Sequence, residues 1–145
     1  MANHQVRLRK KEAIAEGTMT FYFEKPAGFQ FKPGQFANLT LVSPPETDAE
    51  GNVRMFSIAS APFEDDLMFT TRMRDTAFKR VLKSMPFGTE IKLGGPFGSF
   101  TLHSDSSRPA VFLAGGIGIT PFRSMILHAS RSRLPHRLLL FYSNR

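Results

Sequence analysis

Residues 113–122 read LAGGIGITPF. The apolar run AVFLA (110–114) leads into them, and after them Phe122, Met125, Ile126 and Ala129 fall at helical spacing. Thr120 suits an N-cap and Pro121 the first helical position, so the predicted order is strand, glycine turn, helix. AVFLA is of the type that a parallel sheet covers on both faces. RLLLFYS (137–143) is a second such strand. Residues 109–145 are therefore predicted to form one β-α-β unit with a parallel pair. A glycine turn that feeds a helix offers backbone N–H groups to phosphate, which makes the stretch AGGIGITPF (114–122) a candidate phosphate or nucleotide contact. The stretch is not a P-loop, because no Gly-Lys-Ser/Thr follows, and Pro121 stands where a dinucleotide fingerprint has its third glycine.

Working backwards, residues 1–105 have a different rhythm. HQVRLRKKEAI, TMTFYFEK (18–25), FANLTLV (36–42), VRMFSIAS (53–60), LMFTTRM (67–73), TEIKL and SFTLH are predicted strands, broken by Pro33-Gly34, the polar SPPETDAEGN (43–52) and the tight GGPFG (94–98). Met19, Phe21 and Phe23 share one face, the period-2 mark of a half-buried strand. One helix interrupts, capped by Asp75 or Thr76, with Phe78, Val81, Leu82 and Met85 in one apolar stripe and Pro86 and Gly88 ending it. With the short pieces around GGPFG this makes about six strands, and the predicted fold is mainly β: a six-stranded antiparallel Greek-key-type barrel with one short helix (1–105), then the partial α/β unit (109–145). Closing a barrel hides the edges of such a meander.

Composition narrows the chemistry. There is no cysteine among 145 residues, so disulfides, thiolate zinc sites and cysteine-ligated iron–sulfur clusters are excluded. The four histidines are scattered without ligand spacing, and no metal site is expected. Nineteen Lys and Arg against twelve acids give a net charge of +7, which suits an anionic partner or an ordinary basic surface. No apolar stretch reaches the length of a membrane span, and the polar N-terminus lacks a signal-peptide core, so a cytoplasmic location is expected and no membrane partner. A nucleic-acid-binding barrel is a further alternative from charge and phenylalanine-rich strands, and it is not the one adopted.

Three stretches of the β region carry binding chemistry. In VRMFS, Arg54 and Phe56 share a face and Ser57 points to the other. That is either an amphipathic strand or a flavin cradle: guanidinium on phosphate, ring on ring, hydroxyl on a ring nitrogen. RDTAFK (74–79) is either a plain cap or a helix start that binds phosphate. GGPFGSF (94–100) is a turn that allows close backbone approach.

In this order the motifs RMFS, RDTAFK, GPFGSF and AGGIGITPF resemble those of the ferredoxin–NADP⁺ reductase family. The resemblance implies a flavoprotein oxidoreductase that passes electrons from NAD(P)H through FAD to a separate acceptor: ferredoxin, flavodoxin, haem or an oxygenase component. It implies FAD phosphate on Arg54, the isoalloxazine against Phe56, and Ser57 at the catalytic position near flavin N5. Thr70, Thr71 and Arg72 would approach the ring edge or ribityl chain. Thr76, Ala77 and Phe78 would give helix N-terminal contacts to the pyrophosphate, the second phosphate site that favours FAD over FMN. Gly115, Gly116, Gly118 and Thr120 would face the NAD(P)H phosphates. The family's nucleotide domain has about five parallel strands and this chain supplies two, so the chain is expected to be cut within it. The exposed edge of RLLLFYS suggests a homo-oligomer or a partner chain that completes the sheet.

Overall fold

Alternating apolar residues in the first hundred positions produce six antiparallel strands. The computed structural model describes residues 3–144; positions 1, 2 and 145, which fall in the expected domain ranges, lie outside the described residues. The strands are β1 (Asn3–Ala15), β2 (Thr18–Glu24), β3 (Phe36–Leu41), β4 (Val53–Ser57), β5 (Asp66–Arg72) and β6 (Glu90–Phe97), in the order β4-β3-β6-β1-β2-β5. The long β1 serves two neighbours: Asn3 to Arg7 pair with β6, and Leu8 to Ala15 with β2. Inward positions alternate as the sequence predicts. Val6, Leu8, Phe21, Phe23, Leu39, Leu67, Ile91 and Leu93 are almost wholly buried. Each buried side chain of this size contributes roughly 1.5–3 kcal/mol of transfer free energy.

The sheet rolls up without closing as a ladder. Strands β4 and β5 are its two edges, yet Phe56 of one lies 6.5 Å from Phe69 of the other. The Ala59 N–H also donates to the Met68 carbonyl at 2.8 Å. Among the described residues no ladder joins β4 to β5. Helix α1 (Ala77–Ser84) buries Ala77, Phe78, Val81 and Leu82 against this core.

The predicted β-α-β unit follows: β7 (Ala110–Gly115), a 3-10 turn over Gly116–Ile119, α2 (Thr120–Arg131) and β8 (Leu138–Ser143), with β7 and β8 parallel. Four details differ from the expectation. SFTLH is not a strand: Phe100 leaves the sheet and packs on Phe122 of α2 at 5.7 Å. GGPF lies within β6, where the register against β3 shifts between Phe36 and Asn38. Thr120 is the first residue of α2 rather than its cap, because the 3-10 turn runs directly into the helix and puts Ile119 at the N-cap. The β7 strand is covered on one face only, with Val111 and Leu113 exposed. No helix among the described residues is long and apolar enough to cross a membrane.

Candidate functional site

Strand β4 places its motif as the alternation requires. Arg54 and Phe56 stand opposite Leu39 and Ala37 of β3, and Ser57 stands opposite Phe36 on the other face. Phe56 is half-buried, 6.1 Å from the ring of Phe78 and 6.5 Å from Phe69. The Arg54 guanidinium lies 5.2 Å over Phe78, a cation–π contact. It donates to the carbonyls of Glu50, Gly51 and Val53 at 2.8, 3.2 and 2.8 Å, and to the Glu50 carboxylate at 2.7 Å.

The start of α1 comes to the same place. Thr76 is the N-cap and its hydroxyl accepts from the Lys79 N–H at 3.4 Å. The Ala77 N–H donates to Asp48 Oδ2 at 2.7 Å, and the other oxygen of Asp48 accepts from the Glu50 N–H at 3.0 Å and lies 4.0 Å from Arg54. The Ala77 N–H, then the Glu50 N–H and the nearby Arg54 and Arg80 charges, hold Asp48 below the usual carboxylate range against the opposing effect of burial. A negative group is thus already seated at the helix start, so the donor set there accepts an anion. Phe78 offers its backbone only, since its ring is buried in the core. Burial, with repulsion from Arg74 and Arg54, lowers the pKa of Lys79.

The β5 residues divide. Thr70 is buried and its hydroxyl is hydrogen-bonded to that of Thr20 at 2.8 Å. The buried Thr71 donates to the Arg72 carbonyl at 3.3 Å. Only Arg72 of the three is exposed.

The glycine turn is uncrowded. A Cβ placed on Gly115, Gly116 or Gly118 meets nothing within 4 Å, and Gly116 has φ +51°. Packing within the chain therefore gives no steric reason for glycine at 115 or 118. Room in front of a helix start is what an approaching phosphate needs. Buried Thr120 donates to the Ile117 carbonyl at 3.2 Å, and the Tyr142 hydroxyl donates to the Gly116 carbonyl, also at 3.2 Å. Beside the turn, at the carboxyl ends of β7 and β8, Leu113, Gly115, Phe141 and Tyr142 line a shallow, open depression. Ligands of open parallel sheets bind at such ends.

Helix α2 fixes the turn against the sheet through residues that the sequence did not single out. Arg123 donates to the Ala59 carbonyl at 2.8 Å and to both carboxylate oxygens of Glu64 at 2.8 and 3.0 Å. The wholly buried Ser124 donates to the Ser60 carbonyl at 2.7 Å. Residues 59–64 directly follow the Arg54–Ser57 motif, so this clasp links the two candidate binding elements. The only sequence signal was the nearness of each partner to a motif; their pairing is a tertiary fact. Asp48, in a polar loop, carried no signal either.

Comparison with known proteins gives the site its setting. No family model matches the chain. It is 31% identical over 122 residues to the reductase component of propane 2-monooxygenase from Rhodococcus jostii, covering 83% of this chain and 32% of that one. It is 35% identical over 114 residues to methane monooxygenase component C from Methylosinus trichosporium, covering 77% and 32%. The chain thus spans about a third of the length of these curated relatives. Among solved structures, a ferredoxin–NADP⁺ reductase from Neisseria gonorrhoeae with bound FAD and NADP superimposes with a TM-score of 0.76 at 23% identity, over 97% of this chain and 56% of that one. The FAD/NAD-binding domain of a Vibrio cholerae nitric oxide dioxygenase gives 0.79 at 20% identity, over 97% and 62%.

Proposed function

We propose that this ferredoxin–NADP⁺ reductase-like chain is the flavin-binding part of an oxidoreductase, with the opening of its nicotinamide-nucleotide domain attached. Residues 1–105 form the FAD-binding unit and 109–145 the start of the NAD(P)H-binding unit. The whole protein would carry electrons from NAD(P)H through FAD to a separate redox acceptor, an oxygenase component or a small iron–sulfur or flavin protein, in the cytoplasm. The observation that carries this is the meeting of Arg54 with the start of α1, where the Ala77 N–H already binds a carboxylate. When bound, the flavin accepts hydride from the reduced nicotinamide and hands its electrons on singly. The residues of this chain bind and orient. Arg54 and the backbone of Thr76, Ala77 and Phe78 hold phosphate, and Phe56 and Ser57 border the ring system. Arg72 approaches from β5, with Thr70 and Thr71 behind it. Gly115, Gly116, Gly118 and Thr120 receive the phosphates of NAD(P)H.

The exposed face of Val111, Leu113 and Phe141 favours a second reading: a flavin-carrying subunit completed by a partner chain or by a second copy. Monomers at high concentration in light scattering would remove the second copy.

The test of the main proposal is the visible spectrum of the purified chain after addition of FAD and desalting. A retained flavin band is expected, with weak or no NAD(P)H oxidation by the 145 residues. Arg54→Ala should weaken FAD binding by about tenfold or more, the worth of a charge-assisted phosphate contact, whereas Arg131→Ala should not. No flavin retained, or equal affinity in both variants, refutes the assignment.

A further inference from the structure

The polar segment 43–52 does more than connect β3 to β4. It runs as a strap beside α1 and β4 and carries three carboxylates that bind groups of these two elements. Glu46 holds Arg80 in a two-bonded pair at 3.1 and 2.7 Å. Asp48 accepts from the Ala77 N–H, and Glu50 pairs with Arg54 at 2.7 Å. Ser43 at φ +44° and Gly51 at φ +72° mark the ends of the strap. A Cβ on Gly51 would meet nothing, so this end of the strap has free space around it.

We propose that the strap is an autoinhibitory contact: the Asp48 and Glu50 carboxylates occupy the groups that take the flavin's phosphates, and a phosphate ligand enters by displacing them. This rests on the flavin site proposed above. Ala77 N–H and the Arg54 guanidinium come from different elements, and each is engaged by an anion of the same ten-residue segment. One N–H cannot serve a carboxylate and a phosphate oxygen in full strength together, since a second acceptor divides its hydrogen bond. The carboxylates therefore compete with phosphate for these donors and set a threshold for its binding. The strap leaves with its Glu46–Arg80 latch, and the helix start exchanges one anion for another. A ligand without phosphate has no need to move the strap.

Asp48→Asn removes the competing charge with little change of shape. Fluorescence titration should show FAD binding about fivefold tighter in Asp48→Asn than in the wild type, the scale of a charged contact at a helix start. Glu16→Gln, in the exposed β1–β2 turn, should change nothing. Riboflavin, which brings no phosphate, should bind both chains alike. Inorganic pyrophosphate should raise the melting temperature of Asp48→Asn more than that of the wild type. In the wild type, saturating pyrophosphate should speed hydrogen exchange at residues 43–52, a measurement that needs no variant. Unchanged strap exchange, or FAD and pyrophosphate binding no tighter in Asp48→Asn, overturns the strap. If no chain binds FAD but pyrophosphate still favours Asp48→Asn and frees the strap, the flavin assignment falls and the strap stands.

Discussion

The rolled sheet and the β7–β8 unit bury their strands in different ways. In the sheet, inward side chains such as Phe21, Phe23, Leu39 and Ile91 are at zero exposure, packed on strands from both sides and on α1. In the smaller unit, β7 buries Ala110, Phe112 and Ala114 but leaves Val111 55% and Leu113 73% exposed, because one helix covers one face. The sheet holds its own core. The second unit takes its position from contacts with the first, among them Arg123 with Glu64, Ser124 with Ser60, Met125 against Gly34 and Phe122 on Phe100. Stability and site geometry therefore depend on different residues.

Substitutions inside the core should break the comparison most visibly. Phe69→Ala, with a ring that touches Phe23 and Phe56, should cost about 3–5 kcal/mol in denaturant unfolding. Leu113→Ala on the open face should cost no more than about 0.5 kcal/mol. Equal costs would mean that the two units share one core.

The next contrast is between glycines. At Gly34, with φ +99°, a Cβ would stand 2.0 Å from the Phe100 carbonyl oxygen and 2.3 Å from Met125 Cε. Gly34→Ala should cost about 2–3 kcal/mol and push α2 from the sheet. Gly118→Ala, with open space at its Cβ, should leave the melting temperature unchanged. If it also weakens NAD(P)H binding, the ligand rather than the fold requires that glycine.

Smaller again is the clasp. Arg123→Ala should cost about 1–2 kcal/mol, the worth of a half-exposed charged hydrogen-bond pair. It should speed hydrogen exchange in α2 while leaving β1 and β2 protected. Equal acceleration in both would show that the clasp supports the whole chain.

The smallest effect is one of pH. The hydrogen bonds from Arg123, then that from the Ala61 N–H, hold Glu64 below its ordinary 4.5, against the raising effect of burial. A carboxylate with a lowered folded pKa contributes stability above its unfolded value and loses it as pH falls through the folded one. Protection of the α2 amides, taken relative to the intrinsic exchange rate at each pH, should therefore fall as pH drops below 4.5, and Glu64→Gln should flatten that fall. Identical pH profiles in the two chains would remove Glu64 as the titrating group.

Much of this was legible in the sequence, because period and turn chemistry are local. Met19, Phe21 and Phe23 announced β2, the Phe78–Met85 stripe announced α1, and AVFLA followed by a glycine turn and Pro121 announced the second unit. Arg54, Ser57, Thr76 and the glycines were candidates from residue type and spacing, and the structure brings Arg54 and Thr76 to one place. The same local rules failed at SFTLH, which alternates like a strand. Phe100 finds a better partner in Phe122, 5.7 Å away on a helix twenty residues on. They also could not tell that the Thr70 hydroxyl bonds to that of Thr20, since the β2–β5 register decides that pairing. Local physics thus determined the strands, the helices and the residue types of the site. Only the tertiary structure decided which anions sit on Arg54 and Ala77, and which contacts hold the glycine turn near the Arg54–Ser57 stretch. Asp48 with Ala77 and Glu64 with Arg123 are 29 and 59 residues apart, and no period in the chain relates them.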